Sequence, residues 1–282
     1  TKIGDRAFEF CTELEAVELP AGLSHLGGSV FYGCEKLTSV TLPDGVREVP
    51  YRAFMKCSSL TNVIMSEKVS VIGEEAFANC RNLSSLQLPH ALRTISRLSF
   101  SGAGLKSLLI PDGVKSIGEL AFYECNKLDA VNIPSSVTDL GKGVFKSCEK
   151  LSRLSISATS LCNVNPDAFA GINPTEIDLK DGNARYSMQD GMLIDSQLKS
   201  IVLVQKGLPP DIRIPACVTN MGRLALASQT GIRYLALPAR LYDFDFPSRS
   251  CAMTNVVVAA GNPTENNLII FSFSGNPFLN VK

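Results

Sequence analysis

Apolar residues recur along this chain at an interval of 23. Phenylalanine marks it most clearly. Phe8, Phe31, Phe54, Phe77, Phe100, Phe122, Phe145 and Phe169 follow one another at steps of 23, 23, 23, 23, 22, 23 and 24 residues. A leucine lies six residues after each of the first four, at Leu14, Leu37, Leu60 and Leu83, and the series continues at Leu105, Leu128 and Leu151. Cysteine lies three residues after phenylalanine at Cys11, Cys34, Cys57, Cys80, Cys125 and Cys148. A unit this short cannot bury its own apolar side. Stacked units can, because each closes the core of its neighbour.

Written from the leucine, the unit is L-x-x-V-x-L-P-x-G-V-x-x-I-G-x-x-A-F-x-x-C-x-x. Residues 105–122 are its clearest copy, and residues 37–54 match nearly position by position. In the leading segment, Val40 and Leu42, or Val131 and Ile133, alternate with the period of two that predicts a strand. Pro20, Pro43, Pro89, Pro111 and Pro134 follow it. Proline lacks an N–H and ends the ladder. Asp44-Gly45 and Asp112-Gly113 then supply turn chemistry. The next apolar pair, such as Val114 and Ile117, returns to the core. The glycine after it, as at Gly4, Gly27, Gly73, Gly118 and Gly141, is read as permitting a bend. The segment Gly73–Cys80 fits one helical or 3₁₀ turn. Small or β-branched residues before each phenylalanine, such as Ala53, Ala76, Ala121 and Val144, predict tight packing on the next coil.

The predicted architecture is a right-handed repeat solenoid of about ten coils, with a parallel β-sheet on one face and short turns or 3₁₀ segments on the other. Residues 1–170 form the regular array. Residues 1–10 match only the second half of a unit, so a preceding coil or cap is expected before Thr1. The coil at Phe100 is one residue short and carries Gly102 and Ala103 where cysteine would fall. Residues 171–211 read as an irregular coil, with a strand around Ile177 and Leu179 and an inserted β-hairpin. The hairpin runs from Met188 to Ile194 and from Leu198 to Val204, around Asp195-Ser196-Gln197. Residues 212–260 read as degenerate coils whose last strand is Asn255 to Val258. Residues 261–282 read as a C-terminal cap, because an open sheet end invites further pairing.

The periodic I-G-x-x-A-F-x-x-C-x-x-L-x-x-V-x-L-P resembles the 23-residue leucine-rich repeats of the BspA type, also called type 5 or the treponemal class. The match covers about residues 3–170 closely and 212–258 more loosely. Asn183-Ala-Arg-Tyr186 followed by Asp190-Gly-Met-Leu193 is similar to the non-repeat insert seen among such proteins. Family members are mostly surface-exposed or secreted proteins of host-associated bacteria, and some bind extracellular-matrix proteins or promote adhesion. The resemblance therefore implies a non-catalytic module at the cell surface or outside the cell, binding a protein ligand such as a host matrix protein. The alternative it leaves open is a structural spacer within a larger surface protein. The family's ligand residues are not defined by a motif, so none carries over.

Composition narrows the function classes. Apolar residues make up 45% and charged residues 19%, which suits a folded chain. Lysine plus arginine balance aspartate plus glutamate at 27 each, so no basic footprint for nucleic acid is expected. No apolar run approaches the roughly 18 residues that span a bilayer. Nothing at the N-terminus reads as a signal peptide, although the chain starts at Thr1 without a methionine.

Catalytic and cofactor motifs are missing. There is no H-E-x-x-H, G-x-S-x-G, Walker loop or G-x-G-x-x-G, so no catalytic, cofactor or metal residue is assigned. The ladder cysteines are spaced by a whole repeat, which is not metal-ligand spacing. Equivalent side chains on stacked coils point in parallel and keep Cβ atoms near 5 Å apart, too far for a disulfide. Six of the nine cysteines therefore read as small buried hydrophobes. Cys162, Cys217 and Cys251 lie off that ladder and stay open as free or paired. The two histidines, His25 and His90, fall in turn regions away from it. Asn82-Leu83-Ser84 fits a glycosylation pattern, but Leu83 is a core position.

One extended surface remains. Between the inward residues of each strand, two positions point outward. The candidate protein-binding face is Ser39, Thr41, Asn62, Ile64, Ser85, Gln87, Ser107, Leu109, Asn132 and Arg153. Ala16, Glu18, Ala130 and Ser155 extend it. The strip is mostly small and uncharged, which suits a protein surface better than a polyanion.

Overall fold

A computed structural model describes residues 1–157, 163–165, 167–169, 171–180, 182–221, 226, 229, 231–241, 243–244, 255–258 and 280–281. Two compact units form. One is Thr1–Ile172 with Lys180–Gly182, and the other is Asn173–Leu179 with Asn183–Lys282. The first contains β1 (Lys2–Ile3), β2 (His25–Leu26), β3 (Ser39–Thr41), β4 (Glu48–Val49), β5 (Asn62–Ile64), β6 (Val71–Ile72), β7 (Thr94–Ile95) and β8 (Ser107–Leu109). It continues with β9 (Ser116–Ile117), β10 (Ala130–Ile133), β11 (Asp139–Leu140), β12 (Arg153–Ile156) and β13 (Asn163–Val164). The second contains β14 (Glu176–Leu179), β15 (Tyr186–Gln189), β16 (Met192–Asp195), β17 (Ser200–Val204), β18 (Asp211–Arg213) and β19 (Asn220–Met221). It ends with β20 (Tyr234–Leu237), β21 (Asp243–Phe244), β22 (Asn255–Val258) and β23 (Asn280–Val281). The first unit is a parallel solenoid, the second combines parallel ladders with an antiparallel meander, and no helix occurs among the described residues.

Coils in the first unit bond to one another along three sides, except on the outer side at residues 84–88. The L-x-x-V-x-L segments give an outer sheet. β3 pairs with β5, and β8, β10 and β12 pair in that order, all parallel. The V-x-x-I segments give a second parallel ladder, β4-β6-β7-β9-β11-β13, which the sequence reading did not assign to strands. The equivalent segments of the first two coils form a separate parallel pair, β1–β2. His25, expected in a turn, sits in β2 and pairs with Lys2 of β1.

The third side is the phenylalanine segment, and it is neither helical nor 3₁₀. Phe54 N–H donates to Ala76 O at 2.8 Å, and Phe77 N–H to Ser99 O at 2.7 Å. Residues two before and two after the ring do the same: Arg52 donates to Glu74 O at 2.9 Å and Lys56 to Ala78 O at 2.8 Å. Those two have φ of 52° and 61°, and the next coil repeats this at Glu75 (55°) and Asn79 (62°). A helix would spend every N–H inside its own turn and leave none to join the coils. The left-handed residues cost about 1 kcal/mol each. Inter-coil hydrogen bonds of similar net size offset that cost.

The repeat glycine serves close approach, not a bend. A Cβ on Gly73 would lie 2.7 Å from Val49 O, and one on Gly118 would lie 2.6 Å from Arg97 N. Gly73 N–H donates to Val49 O at 2.7 Å, so the backbone of one coil rests directly on the next.

Inside runs the phenylalanine column. Neighbouring rings from Phe8 to Phe145 stack with centroids 5.3 to 5.5 Å apart, and the last step to Phe169 is 6.4 Å. Rings from Phe31 to Phe169 are fully buried.

In the second unit the expected single hairpin is a three-stranded antiparallel meander, β15-β16-β17. The segment Met188 to Ile194 turns back on itself at Asp190 (φ 48°) and Gly191 (φ 75°). Positive φ at both central residues is the type I′ hairpin turn that Asp-Gly favours. β17 then continues in parallel through β19 and β21. β18, β20 and β22 form a second parallel ladder, and β23 extends it beyond β22, so Asn255–Val258 is not the last strand. The cap expected at 261–282 lies outside the described residues apart from β23.

Candidate binding face

Every outward position of the strip points away from the core. β3, β5 and β8 each alternate exposed, buried, exposed, with Val40, Val63 and Leu108 inward. This places Ser39, Thr41, Asn62, Ile64, Ser107 and Leu109 on one surface, with Ser85, Gln87 and Arg153 exposed beside them and Asn132 half-buried. The registers Ser39↔Asn62 and Thr41↔Ile64 set the first block side by side, and Ser107↔Ala130↔Arg153 and Leu109↔Asn132↔Ser155 set the second. Most of these side chains are small and polar. Ile64 and Leu109 depart from that, at 54% and 75% exposed. Arg153 is held by an ion pair to Asp129 at 2.9 Å.

The face has one feature that its sequence pattern does not announce. Residues 84–88 repeat the L-x-x-L-x-L pattern but join no ladder, so the outer sheet splits between β5 and β8. Among the described residues, Ser85, Leu86 and Gln87 make no backbone hydrogen bond to either strand. A cavity of about 570 Å³ opens over the split, lined by Asn62, Ile64 and Met65 on one side and by Ser107 and Leu109 on the other. One departure from the repeat accompanies it. The coil that follows is the one with 22 residues between phenylalanines. Its Gly104 N–H donates to Cys80 O, one position earlier than the matching acceptors Thr12 and Glu35.

Five of the six ladder cysteines are buried and chemically quiet, whereas Cys11 in the first coil, expected to be buried, is exposed because no coil covers it on its outer side among the described residues. Cys57 Sγ donates to Phe31 O at 3.1 Å, Cys80 to Phe54 O at 3.0 Å, Cys125 to Phe100 O at 3.1 Å and Cys148 to Phe122 O at 3.0 Å. The carbonyls of Phe8, Phe31, Phe54, Phe100 and Phe122 thus each take an in-coil N–H and the thiol of the next coil, as Phe31 O does from Cys34 N and Cys57 Sγ. A thiol fits there because it fills an apolar slot and still offers a weak donor. Burial pushes Cys34 up to about 11 and Cys148 to about 12, and Cys57, Cys80 and Cys125 also lie above the usual thiol range for that reason. Cys11 and Cys217 are free and exposed, whereas Cys162 and Cys251 lie outside the described residues. Since the thiolate is the reactive form, iodoacetamide at pH 8 followed by peptide mapping is expected to label Cys11 and Cys217 in the native chain. Cys57, Cys80, Cys125 and Cys148 should label only after denaturation. Rapid native labelling of Cys57 would contradict the buried ladder.

Other charged groups form inter-coil pairs one repeat apart, such as Lys36–Glu13 at 2.5 Å and Arg97–Glu74 at 2.7 Å. At such exposure these contribute little each. No group of three or more metal-ligating side chains converges among the described residues. No helix among them is long and apolar enough to cross a membrane.

The family described as the BspA type leucine rich repeat region matches residues 1–103 and 93–207, in six copies. A leucine rich repeat protein of T. pallidum is 31% identical over 55% of this chain and 64% of its own, with a TM-score of 0.40. A leucine-rich repeat protein from Eubacterium ventriosum is 17% identical, covering 80% of this chain and 61% of its own, with a TM-score of 0.56. The pneumococcal vaccine antigen PcpA is 14% identical, covering 78% and 53%, with a TM-score of 0.51. The latter two share the fold. This chain spans less than two thirds of the length of each of the three structures. No curated protein matches it. With the two matched stretches together spanning residues 1–207, the chain belongs to the BspA type leucine-rich repeat family.

Proposed function

We propose that this chain is a non-catalytic, protein-binding module that works at the bacterial surface or outside the cell, with host extracellular-matrix proteins as its ligand class. The observation that carries this reading is the outer-strand strip. It is an extended, nearly uncharged surface on a rigid stack, with Ile64 and Leu109 exposed at 54% and 75%. Repeat stacks commonly bind through such faces. Balanced charge argues against a polyanionic ligand. The surface location rests on family membership.

The test is retention of purified matrix proteins on the immobilised full chain. At least one is expected to be held at micromolar concentration, and a chain carrying Ser39→Arg with Asn62→Arg is expected to lose it. If none is retained, the spacer reading replaces this one. If one is retained and the double variant binds unchanged, the binding surface lies elsewhere.

A further inference from the structure

We infer that the cavity over the split outer sheet is the anchoring pocket of the binding face, and that it takes an uncharged polypeptide segment carrying an aliphatic side chain. This deepens the protein-binding reading and rests on it. Three independent features meet at this one place. The cavity, about 570 Å³, spans three successive coils. Its rims carry Ile64 and Leu109, the two strongly exposed aliphatics of the strip. Beneath it lies the segment Ser85-Leu86-Gln87, whose backbone groups bond to neither flanking strand. Elsewhere on the same face β3–β5 and β8–β10–β12 close their ladders.

Lining chemistry selects the occupant. No lysine or arginine lines the cavity, so it does not favour a phosphate, sulfate or nucleic-acid backbone. No aromatic ring lines it either, so there is no platform on which a sugar ring or a base would stack. Its one carboxylate, Glu67, is engaged as the acceptor for His90 N–H at 3.0 Å. With one carboxylate and no cation the pocket disfavours an acidic ligand, and its aliphatic rims favour an uncharged one. Between the aliphatic rims, the unpaired N–H and C=O groups can exchange water for a peptide's own donors and acceptors. A segment with an isoleucine, leucine or valine flanked by uncharged residues supplies both contacts. The split also removes a local constraint. The second ladder, β4-β6-β7-β9, runs through the same coils without a break, so the pocket can widen without uncoupling the stack.

The experiment pans a display library of linear random dodecapeptides against the full chain. Enriched clones are then titrated on the parent and on the variants Leu109→Arg, Ile64→Arg and Ala16→Arg. Leu109 and Ile64 are exposed, so both arginine variants are expected to melt with the parent, which is checked first. Ala16 lies on the same face two coils before β5 in the register Ala16↔Ser39↔Asn62. The expected result is an uncharged consensus with a branched aliphatic residue. Its binding should weaken at least tenfold on Leu109→Arg and on Ile64→Arg, and several times less on Ala16→Arg, which lies on the face outside the pocket. A charged consensus, or clones indifferent to Leu109→Arg and Ile64→Arg, overturns the pocket. If those indifferent clones are lost on Ala16→Arg, the face still binds protein and only the pocket assignment fails. If no clone is enriched, the pocket assignment also falls, while the matrix-protein test stands or falls by itself.

Discussion

Replacing Phe77 by alanine is expected to cost about 3–5 kcal/mol, the range for deleting a buried aromatic side chain. Its ring is fully buried and stacks on Phe54 and on Phe100, each with centroids 5.4 Å apart. The cost has two sources. The removed ring atoms lose their transfer free energy, and the hole they leave cannot close. Closure is prevented because the coil spacing is fixed on two sides by backbone bonds, for example Phe77 to Ser99 and the β6–β7 pairing. A globular core can collapse into a void more freely than this stack can. Repeat arrays are held by nearest-neighbour terms, so the loss should also be local. Hydrogen exchange is expected to quicken first in residues 54–100 and later in residues 130–156. Urea unfolding followed by circular dichroism gives the size of the effect. Phe10→Ala is the control, since Phe10 is 59% exposed and not in the column. If the two variants unfold at the same urea concentration, the column is not what binds the coils together.

The column was readable from the chain because one residue type repeats at one spacing and burial demands just that. The same holds for the outward strip, since a strand with one buried face dictates the other. What stayed hidden depended on hydrogen bonds between coils. Val71–Ile72 and Thr94–Ile95 are too short to show alternation, yet they pair because stacking brings equivalent backbone groups together. The turn after Gly73 looked helical by composition. Only its inter-coil partners show why Glu75 and Asn79 adopt positive φ. The split at residues 84–88 is invisible in a pattern identical to its neighbours, and the nearest sequence sign was a missing residue one coil later. The meander is not legible in the sequence because residues 188–194 carry the apolar content of a single strand across Asp190-Gly191. Its positive φ pair shows that the dipeptide reverses the chain there.

That meander is the subject of the second large effect. Asp195 is 1% exposed, and its carboxylate is fully used. Oδ2 accepts from Arg185 Nε at 2.8 Å and lies 2.7 Å from Arg185 Nη2. Oδ1 accepts the N–H groups of Gln197 at 2.9 Å and Leu198 at 3.0 Å, which closes the loop between β16 and β17. Asn183 Oδ1 fixes the other end by accepting from Arg185 N and Tyr186 N at 3.0 and 2.7 Å. Asp195→Ala therefore removes two things together: the counter-charge of Arg185, whose side chain is only 14% exposed, and the acceptor for two loop N–H groups. Leaving one partner of a buried pair behind costs about 3–5 kcal/mol, whereas replacing both by apolar groups costs far less. The ordering expected in thermal unfolding of the second unit is thus parent, then Arg185→Leu with Asp195→Leu, then Asp195→Ala as least stable. Asp195→Asn should fall close to Asp195→Ala, because its amide would meet the guanidinium donor to donor or give up the loop. A double variant no more stable than Asp195→Ala would mean that the two loop hydrogen bonds, not the buried charge on Arg185, hold this insert together.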